Sequence, residues 1–151
     1  NTTPIIVTAT GNAAQNQLWI YNSLTNQIGL YDYLKKEYRS ISTSFPENIK
    51  YYQSDFNTFY WIDQKNNWYS CDLFGKITLK GKIPDFDLIA ITNKNQFVIS
   101  KNNRLIYQEI ENNQRFEIQV LEKTFKNFCY KDQILSIFTS KGITNYKIII
   151  P

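Results

Sequence analysis

Asp85 and Asp87 are the side chains whose spacing comes nearest to chemistry in this sequence. Residues two apart face the same side of an extended strand. Two carboxylates so placed could hold a cation or, with a further carboxylate, serve in glycoside chemistry. The competing reading is a solvated turn. Glu109 and Glu111 repeat the spacing without a site pattern around them. Asp63 and Asp72 read as strand-end residues that bond the amides of the turns they open. Histidine is absent from the 151 residues, which removes Ser-His-Asp and Cys-His nucleophilic sites and the common histidine metal sites. Cys71 and Cys129 are too few for a disulfide framework and read as buried small hydrophobes, with a bridge between them as the alternative. Gly11, Gly29, Gly75, Gly81 and Gly142 stand apart, so no glycine-rich phosphate cradle is present. No catalytic residues, no metal and no cofactor are expected, and the chain is not read as an enzyme.

The aromatic residues offer binding rather than reaction. Trp19, Trp61 and Trp68, with Phe59, Tyr60 and Tyr69, have the flat faces of a sugar or peptide platform. The same residues serve a packed core, and that is the reading taken for Phe59, Trp61, Phe97, Ile99, Leu135 and Ile137. Tyr51 and Tyr52 combine a rigid apolar body with a polar tip, and with Trp68 and Tyr69 they form the candidate interface.

Bulk composition describes a packed domain. Apolar residues make up 42% and charged residues 20%, and the Asn-rich stretches fall between apolar runs, where turns belong. The net charge of +4 comes from 17 basic residues spread along the chain, with Lys35, Lys36 and Arg39 as a small local cluster. A nucleic-acid footprint concentrates charge on one face, so a solvated surface is the better account and no specific nucleic acid is expected. No apolar run approaches the roughly 20 residues of a membrane-spanning helix. The chain starts without Met and contains none, as expected of a mature exported protein or an internal piece of a longer one.

The elements that position these residues recur with a period of about 37–41 residues, each repeat an apolar strand, a polar turn and a second apolar strand. The recurrence runs through Leu18–Asn22 with Gln27–Tyr33, Phe59–Asp63 with Trp68–Leu73, Phe97–Ser100 with Leu105–Glu109, and Leu135–Thr139 with Ile143–Ile150. Four short strands per repeat is what a β-propeller blade uses. The sequence therefore predicts an all-β fold of about four blades, at 5–42, 49–83, 86–121 and 125–150, forming part of a larger propeller. A complete β-sandwich or open barrel is the alternative. Leu30, Leu34 and Tyr38 also recur at helical spacing. Fifteen strands are counted, and the outer strand of the last blade is the one missing. Ile148, Ile149 and Ile150 would then lie beside an open edge.

Phe59-Tyr-Trp-Ile-Asp63, followed by Asn66-Asn-Trp-Tyr69 and Asp72-Leu-Phe-Gly75-Lys76, resembles a blade of the YWTD-like and related propeller repeats. In those repeats an aromatic strand ends in Asp and the next leads to an Asp-x-x-Gly turn. Leu18-Trp-Ile-Tyr-Asn22, Phe97-Val-Ile-Ser100 and Leu135-Ser-Ile-Phe-Thr139 occupy the corresponding places but depart at the Asp and Gly positions. The whole chain, rich in Asn, Lys and Tyr, is similar to the C-terminal part of exported propeller proteins of the Bacteroidota. That resemblance implies an extracytoplasmic location, in the periplasm, at the outer membrane or on the cell surface. It also implies a scaffold role beside an outer-membrane machine, and it carries no catalytic residues.

The functional expectation is a non-catalytic protein-interaction or structural scaffold in an envelope or secreted assembly. Its partner would be another protein, such as an outer-membrane complex, or the missing part of the same chain. A carbohydrate-binding or glycan-processing propeller is the alternative, and a nucleic-acid module follows behind it.

Overall fold

Turn chemistry punctuates this chain more sharply than its strands do. In the computed structural model, which describes residues 5–9, 16–22, 27–41, 49–55 and 57–149, side-chain oxygens of Asp or Asn cap one turn after another. Asp32 Oδ1 accepts the amides of Leu34 and Lys35, Asp72 Oδ1 those of Phe74 and Lys76, and Asn93 Oδ1 those of Asn95 and Gln96. Such Asx caps give the backbone an alternative to continued pairing and fix where each strand stops. Two hairpins turn on residue pairs with positive φ, Asn102-Asn103 and Asp132-Gln133. That is the geometry whose twist matches the flanking strands in a two-residue loop.

Residues Asn1–Ile83 form one unit and Pro84–Pro151 a second. In the first, β1 (Ile5–Ala9), β2 (Gln17–Asn22), β3 (Gln27–Asp32) and β4 (Glu37–Ile41) make one antiparallel sheet in chain order. A second sheet follows from β5 (Ile49–Ser54), β6 (Phe59–Asp63), β7 (Asn67–Cys71) and β8 (Ile77–Lys82). The helical spacing of Leu30, Leu34 and Tyr38 does not produce a helix. Leu30 lies in β3, Leu34 in a turn and Tyr38 in β4. The Asp32 cap stops β3 and reverses the chain, so Leu34 points to solvent instead of sharing a face with Leu30.

The second unit repeats the plan with β9 (Leu88–Ile91), β10 (Gln96–Lys101), β11 (Arg104–Glu109) and β12 (Arg115–Ile118). Its other sheet has three described strands, β13 (Asn127–Lys131), β14 (Ile134–Thr139) and β15 (Gly142–Lys147).

Burial follows position in the sheet. Every residue of β6 is buried, as expected of an inner strand packed on both faces, whereas β8 alternates between half-buried and exposed. The core of the first unit joins Trp19, Tyr21, Ile28, Leu30 and Ile41 of one sheet to Phe59, Trp61 and Cys71 of the other. Its ring contacts include Trp19–Phe59 at 5.6 Å and Phe59–Trp61 at 6.0 Å. The core of the second unit is more aliphatic. It joins Val98, Leu105, Tyr107 and Ile118 to Phe128, Tyr130, Leu135 and Ile137. The residues expected in the core, Phe59, Trp61, Phe97, Ile99, Leu135 and Ile137, are all fully buried.

Candidate functional site

Asp85 and Asp87 do converge, but on a side chain of the protein itself. Lys101, the last residue of β10, brings its Nζ to 3.2 Å from Asp85 Oδ2 and 3.7 Å from Asp87 Oδ1. Asp87 Oδ2 also accepts the amide of Asn102, and the Asp87 amide donates to Ser100 O at 2.7 Å. The hydrogen bond to Asp85, and then the charges of both carboxylates, raise the Lys101 pKa above its ordinary value. The two carboxylates and Lys101 thus form an exposed ion-pair cluster between the end of β10 and the segment before β9. Among the described residues no group of three or more Cys, Asp or Glu side chains is arranged to hold a metal ion. A hollow of about 200 Å³ beside the pair is lined by Pro84, Ile99, Ile106, Lys101, Arg104 and Arg115. Arg104 is ion-paired with Glu117, and that hydrogen bond holds the Glu117 carboxyl below its usual range.

The four aromatic residues expected at an interface lie on opposite faces of their sheet. Tyr52 pairs with Trp61, which pairs with Tyr69, and this row packs toward the first unit's core. Tyr51 pairs with Ile62, which pairs with Trp68, on the other face. Trp68 is fully buried and stacked on Tyr60 at 6.2 Å, which leaves it no surface for a partner. Tyr69 stacks on Trp61 at 5.3 Å, and Tyr52 on Phe59 at 6.2 Å. Tyr51 is half-buried and donates to Gln53 at 3.3 Å.

Each unit satisfies buried polar residues from within, as two examples show. Tyr60 donates to Asp55 Oδ2 at 2.7 Å, and burial, then that carboxylate, pushes its hydroxyl pKa far up. Glu109 accepts from Tyr107 at 2.8 Å and from Asn112 at 2.9 Å, closing one end of its blade. The two cysteines are both free. Cys71 is buried and its thiol is pushed up to about 12 by burial and then by Asp72. Cys129 is exposed, contrary to its reading as a buried hydrophobe. It sits opposite Ser136 on the face of β13 turned away from the core.

The exposed apolar surface of the first unit lies elsewhere, on the connections between third and fourth strands. Leu34 is 67% exposed in the β3–β4 turn, and Phe74 is 79% exposed in the equivalent β7–β8 turn. Tyr33 and Tyr38 are exposed beside the first turn, and the Arg39 guanidinium lies 5.7 Å from the Phe74 ring centre. A signal for these residues is present in the sequence. Asp32-Tyr33-Leu34 and Asp72-Leu73-Phe74 both place bulky apolar residues just after an Asx cap, where turns normally carry polar ones.

Comparison with solved structures decides the architecture. Over 99% of its length this chain matches 94% of the computationally designed Ika4 protein, at a TM-score of 0.61 and 13% identity. Over 98% it matches 47% of Kluyveromyces lactis Hsv2, at a TM-score of 0.59 and 12% identity, and over 93% it matches 49% of the WD40 β-propeller domain of Doa1, at 0.56 and 10%. The four sheets are blades, part of a β-propeller. The chain spans about half the length of these natural propellers. It also matches, over 98% of its own length and 21% of the other, PorZ of Porphyromonas gingivalis, at a TM-score of 0.53 and 10% identity. PorZ is described as a bacterial surface component of the type-IX secretion system. No protein-family model and no curated protein matches the chain. Among the described residues of the propeller, no helix is long and apolar enough to cross a membrane.

Proposed function

We propose that this chain is a non-catalytic protein-interaction scaffold, part of a larger propeller in an envelope or secreted assembly. The observation that carries the reading is the pair of apolar turns. Asx caps at Asp32 and Asp72 hold Leu34 and Phe74 out in water, flanked by Tyr33, Tyr38 and Arg39. Exposed aromatic and aliphatic side chains beside an arginine are the composition of protein-binding surfaces. The turns are fixed by the Asp32 and Asp72 caps, so the side chains are presented at little further ordering cost. The likeness to a bacterial surface component supports an extracytoplasmic setting. The partner is another protein or a further part of the same polypeptide.

The test is copurification under near-native extraction, comparing the natural protein with a Leu34→Ser, Phe74→Ser double variant. Both side chains are exposed, so stability should stay within about 0.5 kcal/mol. The expected result is a stoichiometric partner that the variant loses. A folded natural protein that brings down nothing, or a partner the variant retains in full, overturns the reading.

A further inference from the structure

Arg115 alone among the cations lining two adjoining hollows of the β9–β12 sheet has no partner. The register places it. Ile99, Ile106 and Glu117 form a row across β10, β11 and β12. Lys101 and Arg104 stand on one side of that row, and Phe97, Gln108 and Arg115 on the other. Residues two apart on a strand share a face, so all of them lie on the same face of the sheet. Val98, Leu105, Tyr107 and Ile118 occupy the opposite face and belong to the second unit's core. The hollow of about 200 Å³ beside Asp85 and a second of about 350 Å³ beside Phe116 and Glu117 share Arg104, Ile106 and Arg115.

The ion pairs leave one charge over. Lys101 is matched by Asp85 and Asp87, and Arg104 by Glu117. The exposed Arg115 guanidinium makes no ion pair or hydrogen bond among the described residues. Opposite it on β11, Gln108 is only 5% exposed, and its Oε1 has no hydrogen-bond partner among the described residues. An unfilled buried acceptor is costly, and a guanidinium offers five donors in one planar fork.

The lining defines what fits. Pro84, Ile99 and Ile106 give the smaller hollow an apolar wall. A guanidinium grips a carboxylate through two parallel hydrogen bonds. One unmatched cation balances a monoanion, whereas a dianion would bring a second charge beside Asp85 and Glu117. At about 200 Å³ the smaller hollow falls below the roughly 300–1,000 Å³ of sites for drug-sized ligands, so the occupant is small.

We propose that these hollows bind a small organic monocarboxylate with an aliphatic or aromatic body. Its carboxylate pairs with the Arg115 guanidinium, and its apolar body lies along Ile106, Ile99 and Pro84. With the ligand in place, Gln108 Oε1 accepts an N–H from another edge of the guanidinium and sets its plane. The site shares no residue with the Leu34 and Phe74 turns, so the inference goes beyond the scaffold reading and does not depend on it.

The experiment uses the intact protein labelled at its isoleucine methyl groups, with phenylacetate as the probe at pH 7. Phenylacetamide has the same body without the charge, and acetate has the charge without the body. The expected result is saturable binding of phenylacetate that shifts the Ile99 and Ile106 methyl signals and leaves those of Ile134 and Ile143 in place. The amide and acetate should each bind about tenfold more weakly or worse. Arg115→Gln changes an exposed side chain and keeps the fold. It should weaken phenylacetate about tenfold and leave phenylacetamide unchanged. Arg115→Lys should recover only part of the loss, since an ammonium lacks the planar fork. Absence of saturation at tens of millimolar, equal binding of acid and amide, or full binding by Arg115→Gln overturns the proposal. So does a short peptide ending in a free phenylalanine carboxylate that binds tenfold more tightly than phenylacetate, which would assign the hollow to a chain end. The Leu34→Ser, Phe74→Ser variant should bind phenylacetate like the natural protein, so loss of the copurifying partner and loss of this site are separate results.

Discussion

Replacing Asp63 by Ala tests how much one turn cap contributes to a blade. The Asp63 carboxylate accepts the Lys65 amide at 2.8 Å, the Asn67 amide at 2.9 Å and the Asn67 side-chain amide at 2.9 Å. It thereby bridges the end of β6 to the start of β7, through a turn in which Asn66 takes a φ of 62°. Asp63 is only 6% exposed, so its partners cannot all turn to water when the carboxylate goes. The Lys65 amide belongs to an exposed residue and rehydrates, while Asn67 is half-buried and loses more. Losing a cap of this kind costs about 0.5–2 kcal/mol, and a stranded buried amide adds about 1 more. The expected loss is about 1.5–3 kcal/mol, or about 3–12 °C in Tm for a chain of this size. Burial pushes the Asp63 pKa up, but the bonds from Asn67 and Lys65 outweigh it and hold the carboxyl below its ordinary value. A depressed folded pKa means stability that is complete above the unfolded pKa of about 3.9 and is lost as pH falls through the folded value. Asp63→Asn keeps an acceptor but no charge, so it should lie between the natural protein and Asp63→Ala at neutral pH. Its gap from the natural protein should narrow below about pH 4. Urea unfolding followed by far-UV circular dichroism at pH 7 and pH 3 measures both effects. A loss under about 0.5 kcal/mol at pH 7, or a gap that widens on acidification, would refute the reasoning.

Three further outcomes are expected. Iodoacetamide at pH 8 should modify Cys129 and spare Cys71, whose buried thiol is pushed up to about 12, as peptide mass mapping will show. Gly29→Ala should displace the Tyr38 ring rather than break the sheet. A Cβ at 29 would collide with the far end of that half-exposed ring, which can swing into water, so the loss should stay near 1 kcal/mol by urea titration. Leu135→Ala removes a fully buried side chain from the second unit's core and should cost about 2–5 kcal/mol, read by the same titration.

Much of the fold was legible because its signals are local. Strand after strand carries β-branched or aromatic residues, and the polar residues between them are Asx caps and positive-φ asparagines, so strand and turn could be told apart one hairpin at a time. The strand expected at Trp68–Leu73 spans Asn67–Cys71 and ends there because Asp72 caps the turn. The Leu30–Leu34–Tyr38 spacing misleads for the same reason, since a cap at Asp32 outweighs a four-residue apolar recurrence. Surface chemistry was less legible. Tyr51 and Tyr52 are neighbours in sequence and therefore lie on opposite faces, but nothing local reveals that both faces of β7 are packed and that Trp68 is buried. Asp85 and Asp87 lie in the connection before β9 and not on a strand, so the two-residue spacing alone does not account for their meeting one cation. Lys101, which contacts both, lies 16 positions beyond Asp85 and reaches them through a hairpin.

The aromatic asymmetry of the two cores has a spectroscopic consequence. Trp19, Trp61 and Trp68 all lie in the unit that ends at Ile83, each fully buried, and the other unit contains no tryptophan. Indole emission, blue-shifted in the native state, therefore times the opening of the first two blades alone. The blades beyond Pro84 must be followed through their tyrosines and their β-sheet ellipticity, so tryptophan emission reports on one unit and is silent about the other.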